Sequence, residues 1–233
     1  MLLWNFDLLI NNPAAFFLLV ATISIALLVA LTVHEFSHGL ISHRLGDPTA
    51  KRLGRLSLNP IKHLDPMGTL MIFLVGFGWG KPVPVNPAFF RGNIRSGMGL
   101  VALGGPLSNF LVAAIFGGLL VRTGLLDWHS PWQYQPFSSW GASSVAADIV
   151  GYIILLNLVL GTFNLIPIAP LDGFRIAVGI LPRAQAYALA KTERYGPMIL
   201  LVFILLGYTT GFLWDVLIRA IDLFARLFVG KGF

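Results

Sequence analysis

The run from Ala14 to Leu40 contains no charged residue before Glu35. As a helix rising 1.5 Å per residue it exceeds the roughly 30 Å of a bilayer's hydrocarbon core, so it reads as a membrane span. Near its far end stands Val33-His34-Glu35-Phe36-Ser37-His38. Two histidines four residues apart on a helix differ by only about 40° in direction, so both can face one ion. Imidazole suits Zn²⁺, and Glu35 projects onto the adjacent flank, where it can deprotonate a water. This is the H-E-x-x-H pattern. The alternative is two buried histidines satisfied by neighbouring carbonyls. A glutamate between them is then hard to explain, because intramembrane carboxylates are costly and usually functional. His34 lies about 30 Å along the span, which puts the pair inside the membrane but near one face. His43 is about 180° around the helix from His34 and points away from the same ion.

The rest of the chain has the same character. Hydrophobic residues make up 56% and charged residues 11% of the 233 positions, against about 25% charged in soluble domains. No single core hides that much apolar surface, whereas lipid does, so an all-α polytopic membrane protein is expected as one domain over 1–233. The net charge of +6 sits in the loops between apolar runs, which fits anionic lipid headgroups and cytoplasmic loops rather than nucleic acid. With no cysteine, disulfides and thiolate metal sites are excluded. The amino terminus has no basic n-region and no small-residue cleavage site, so no removable signal peptide is expected.

Four spans are predicted, about 14–40, 97–121, 147–166 and 197–214. Between the first two lie Arg44, Lys51, Arg52, Arg55, Lys62, Lys81, Arg91 and Arg95 against Asp47 and Asp65, which marks that face as cytoplasmic. Gly46-Asp47-Pro48 ends the first helix. Within this stretch Leu70 to Phe77 is apolar but too short to span, and it meets Gly76, Gly78, Gly80, Pro82, Pro84 and Pro87. A re-entrant or hairpin element beside the site is expected, with an interfacial loop as the alternative. His63 and Asp65 read as solvated loop residues. Pro106 kinks or starts a helix segment, and Asn109 bonds a neighbouring backbone carbonyl. Trp128, His129, Trp132, Tyr134 and Trp140 mark an outer loop with interfacial tryptophans, across the membrane from the site.

The third span runs into Asn164-Leu165-Ile166-Pro167-Ile168-Ala169-Pro170-Leu171-Asp172-Gly173. Two prolines stop the helix and deliver Asp172 at about the depth of His34, which makes it the leading third ligand; a helix cap is the alternative. Asn164 offers an amide for a developing oxyanion, or a purely structural hydrogen bond. In the tail Asp215, Arg219, Asp222 and Arg226 form two Asp-to-Arg pairs on one side of an amphipathic helix, lying at the interface or packed on the bundle.

The constellations together resemble the site-2 protease family of intramembrane zinc metalloproteases. The residues that carry the resemblance are His34-Glu35-x-x-His38, Gly78-Trp79-Gly80-Lys81-Pro82-Val83-Pro84, Gly105-Pro106-Leu107-Ser108-Asn109 and Asn164…Pro167…Leu171-Asp172-Gly173. Resemblance implies one Zn²⁺ held by His34, His38 and Asp172, Glu35 as catalytic base, and Asn164 near the substrate carbonyl. It also implies that the Gly-Trp-Gly-Lys-Pro region holds an unwound transmembrane substrate as an added strand. The usual Asp-Gly-Gly is here Asp172-Gly173-Phe174, and a minimal member without PDZ-like or nucleotide-sensing modules is expected. Cleavage within the cell (inner) membrane, with the site towards the cytoplasm, is the expected function. A metal transporter or inactive metal-binding protein is the alternative. A transporter should show inverted halves or paired polar positions, and neither is present.

Overall fold

A computed structural model describes residues 6–75, 78–131 and 142–233. The described chain is helical: α1 (Phe6–Asn11), α2 (Pro13–Arg44), α3 (Thr49–Arg52), α4 (Pro66–Val75), α5 (Ile94–Ile115), α6 (Ala142–Asn164), α7 (Asp172–Ile180), α8 (Arg183–Ala190), α9 (Gly196–Thr210) and α10 (Phe212–Val229). Three helical stretches are long and apolar enough to cross a membrane, Pro13–Arg44, Ile94–Val121 and Ser143–Asn164. A fourth span counts if the bent pair Arg183–Thr210 and Phe212–Val229 is taken as one. The protein is an all-α polytopic membrane protein. Its outward side chains include Phe17, Ile25, Leu100, Leu107, Leu111 and Leu119, a surface that lipid rather than water covers.

Local chemistry explains the ends of α2. Asn12 accepts a hydrogen bond from Ala15 N at 3.2 Å and Pro13 occupies the first helical position, the usual start signals. At the other end Gly46 has φ 114°, and a Cβ there would meet Phe89 O at 2.8 Å, so only glycine fits. Against α2 pack α5 and α6. One buried cluster joins Leu19, Ile23 and Ala26 to Tyr152 and Ile153. Another joins Ala113, Ile154 and Leu158 to Ile221, Ala225 and Val229. The tail helix α10 therefore packs on the bundle, one of the two arrangements expected of it.

Several expectations need correction. Helix α5 runs through Pro106, so that proline does not start a helix segment, and the helix widens to a π-helix over Phe116–Val121. The expected fourth span, about 197–214, is broken at Gly211, whose φ of 73° turns the chain by 90° between α9 and α10. His63 is not a solvated loop residue: it is fully buried, with Nε2 2.7 Å from Ser57 O. Asp65 accepts from Gly68 N at 2.8 Å and so closes the first turn of α4. Trp132, Tyr134 and Trp140 lie outside the described residues.

A hairpin does flank the site. After α4 the chain returns through Gly80, which pairs antiparallel with Leu64, and a strip without regular secondary structure follows to Asn86. Arg55 holds its outer part, donating from one nitrogen to Lys81 O at 2.6 Å and to Pro82 O at 3.2 Å. Asp47 holds the far end. Its fully buried carboxylate accepts from Ser42 Oγ, Thr49 N, Thr49 Oγ1 and Asn86 N. One carboxylate thus ties the end of α2 to the start of α3 and to the strip.

Burial pushes the Asp47 carboxyl up, but the hydrogen bonds from Thr49, Asn86 and Ser42 outweigh it and hold the group below 3.8. Asp47→Ala, which strips those donors of their acceptor, should lower stability by about 1–3 kcal/mol, read from melting of the purified protein in detergent. A carboxyl depressed in the folded state contributes fully above its unfolded value and loses that contribution as pH falls through the folded one. The wild-type advantage should therefore persist at neutral pH and vanish as the pH falls well below 3.8.

Candidate metal centre

The site lies where one stripe of α2 meets one stripe of α5 in antiparallel register. His38 Nδ1 is 2.7 Å from Val101 O, and His34 Nδ1 is 2.6 Å from Asn109 Oδ1. Between them Gly105 leaves room for both rings: a Cβ there would meet His34 Nε2 and His38 Cε1 at 2.6 Å. Gly104 likewise admits Ile41, and Ser108 Oγ donates to Gly105 O at 2.7 Å and to Val33 O at 3.3 Å. The segment Gly104–Asn109 is thus the docking surface for the histidine-bearing turns, small where the helices must touch.

Asp172 arrives from a different direction. After α6 ends at Asn164, residues 165–171 form a tight loop, and Asp172 is the first residue of α7. Gly173 seals the approach, since a Cβ would lie 2.3 Å from Leu165 O and 2.4 Å from Ile166 O. Helix α7 rests on α5 at a glycine pair, with a Gly99 Cβ position only 3.1 Å from Gly179 Cα. The carboxylate reaches the rings: Asp172 Oδ2 is 3.1 Å from His34 Nε2 and 3.3 Å from His38 Nε2. Ligand atoms of the three residues all fall within 4.8 Å of one another, and among the described residues this is the one such group of His, Asp or Glu side chains.

Hydrogen bonding tests whether these residues fit a cation. A backbone carbonyl only accepts, so His38 Nδ1 carries the proton that Val101 O receives, and in the neutral ring Nε2 presents its lone pair. The same assignment follows for His34, because both N–H bonds of Asn109 are already given elsewhere, to Ala30 O at 3.0 Å and Asn157 Oδ1 at 2.9 Å. Two lone pairs and a carboxylate oxygen therefore face one another. Asp172 Oδ2 is buried and receives no hydrogen bond of acceptable geometry; with both rings neutral, its short contacts to the imidazoles are approaches of acceptor to acceptor. A cation belongs among them, and two imidazoles plus a carboxylate suit zinc.

Glu35 stands beside this group, with Oε2 accepting from Val83 N on the strip at 2.8 Å. The strip therefore passes directly over the candidate base. Asn164 donates to Leu160 O at 2.9 Å, one helical turn back. His43 and His63 lie outside the group, and His129 Nδ1 is 2.7 Å from Asp148 Oδ1 at the opposite end of α6 from Asn164. Sequence reasoning gave Asn109 a backbone carbonyl partner, which it has, but missed its contact with His34. The spacing of Val101, Gly105 and Asn109, four residues apart each time, is the signal that could have found it.

Residues 22–207 match Peptidase family M50. YwhC of Bacillus subtilis is 40% identical over 209 residues, covering 88% of this chain and 89% of that protein. Rip2 of Mycobacterium tuberculosis is 30% identical over 204 residues, covering 84% of this chain and 71% of that protein. The words zinc metalloprotease stand in the name of each. No solved structure matches the chain.

Gly105→Ala should force the two rings apart. The expected result is destabilisation by about 1–3 kcal/mol, as for other overpacked contacts. Metal per chain should fall well below that of the wild type, measured by elemental analysis of the purified protein; unchanged occupancy would show that the rings tolerate the methyl group.

Proposed function

This chain belongs to peptidase family M50, the site-2 protease family, and is a zinc metalloprotease; from that premise we propose that it cleaves peptide bonds in or near transmembrane helices of membrane-protein substrates. The observation that carries the reading is the convergence of His34 Nε2, His38 Nε2 and Asp172 Oδ2 with Glu35 on the adjoining flank. In this reading His34, His38 and Asp172 hold the zinc, which supplies Lewis acidity and one open coordination position.

Glu35 is the general base. One carboxylate oxygen takes a proton from the attacking water as its oxygen bonds to the scissile carbonyl carbon, and later returns that proton to the leaving amine nitrogen as the C–N bond breaks. Val83 N–H, bonded to Oε2, orients the carboxylate so that its other oxygen is directed to the reaction. Asn164 sits at the end of the helix leading to Asp172, and its second amide N–H would donate to the developing oxyanion.

A helical substrate has its carbonyls occupied by hydrogen bonds four residues on, so it must unwind before attack. The strip 80–86 offers backbone for the unwound segment to lie against, although Val83 N–H is held by Glu35 and the carbonyls of Lys81 and Pro82 by Arg55. Water reaches the site from the basic, cytoplasmic face of the cell (inner) membrane, towards which the metal group lies.

Glu35→Gln should bind one zinc per chain yet lose all measurable cleavage of a transmembrane-helix substrate in detergent. Asp172→Ala should instead lose zinc. Zinc at wild-type occupancy in the Asp172 variant would remove that residue from the ligand set, and cleavage by the Glu35 variant would remove Glu35 as base.

A further inference from the structure

Hydrogen bonds at the metal centre continue beyond the three ligands into a third span. Asn157 on α6 donates from Nδ2 to Ile153 O at 2.8 Å and accepts on Oδ1 from Asn109 Nδ2 at 2.9 Å. Asn109 donates its other N–H to Ala30 O at 3.0 Å and accepts on Oδ1 from His34 Nδ1 at 2.6 Å. Both asparagines are fully buried. The direction of every bond is forced, because the carbonyls of Ile153 and Ala30 at its two ends can only accept. Each amide is therefore locked in one orientation, and the chain ends by demanding a proton on His34 Nδ1.

That demand has a chemical consequence. His34 is held in the tautomer whose Nε2 lone pair faces Asp172 and His38, and its ring plane is fixed from behind. Asn109 also grips the α2 turn beneath the ring through Ala30 O, so ring and backbone are positioned together. Asn157 belongs to the helix that ends at Asn164 and leads into the Asp172 loop. The relay thus joins the helix bearing two histidines to the helix that delivers the carboxylate. Two amides buried among apolar helices carry a desolvation cost that Leu158 or Ala113, their neighbours in the sequence pattern, do not.

We propose that Asn109 and Asn157 are positioning residues that set the metal affinity of the site by fixing the tautomer and orientation of His34. Partners of this kind raise ligand basicity and remove the freedom a ring must otherwise lose on binding. The proposal rests on the ligand assignment given above, and its test separates the two.

Wild type, His34→Ala, Asn109→Ala, Asn109→Asp and Asn157→Leu would be purified in detergent, with helical content and melting checked by circular dichroism. Co²⁺ affinity would be measured by chelator competition, and coordination by the visible cobalt bands. Asn109→Ala should weaken cobalt affinity by roughly 10–100-fold and alter the bands, whereas Asn109→Asp, which keeps the acceptor for His34 but gives up both donated bonds, should weaken it less. Asn157→Leu should fall between Asn109→Ala and wild type, since Asn109 keeps its contact with His34 but loses its anchor. Wild-type affinity and bands in a folded Asn109→Ala would overturn the proposal. Should that variant not fold, unchanged affinity in Asn157→Leu would overturn it equally. No binding by the wild type, or full affinity in His34→Ala, would fail the ligand assignment itself and the relay with it.

Discussion

Three hydrogen-bond acceptors share one small volume where α2, α5 and α7 meet, and none of them has a donor to answer it. Asp172 Oδ2 lies 3.1 Å from His34 Nε2 and 3.3 Å from His38 Nε2, and the Nδ1 bonds to Asn109 and Val101 leave each neutral ring with a lone pair facing inward. In an apolar surrounding a cation among the three atoms, or a proton on one ring, relieves such a cluster. Much of the fold follows from placing it there. The antiparallel register of α2 on α5 supplies both acceptors, Gly105 supplies the space, and the Asp172 loop supplies the carboxylate.

The same economy of small residues recurs around the site. Gly104, Gly105, Gly99 with Gly179, and Gly173 each mark a place where a methyl group would strike a neighbour. Between helices in lipid there is no hydrophobic drive to bring faces together, so close backbone approach and interhelical hydrogen bonds carry the packing. On the loop side of the site the work is polar instead. Asp47 and Arg55 fasten the strip 80–86 above Glu35 through hydrogen bonds to its backbone. One half of the centre is thus built by helix packing and the other by a clamped loop.

What could be read from the sequence divides along the same line. Local patterns were legible: the H-E-x-x-H spacing on one helix, the apolar spans, and the two prolines that deliver Asp172. Each depends on residues near one another in the chain. The contact of Asn109 with His34 depends on the register between two spans 75 residues apart, which no local pattern specifies. His63 looked like a loop histidine because its neighbours are charged, yet tertiary packing buries it. The break at Gly211 was hidden because glycine is common in membrane helices, where it need not end them. Asp47 read as a helix stop, and its four donors come from three separate stretches of chain.

The most direct test of the account is X-ray absorption at the zinc edge on the purified protein in detergent. The account predicts one bound zinc whose first shell holds only nitrogen and oxygen at about 2.0–2.1 Å, with the outer-shell signature of two imidazoles. No bound zinc, or a zinc whose shell lacks imidazole, would contradict it.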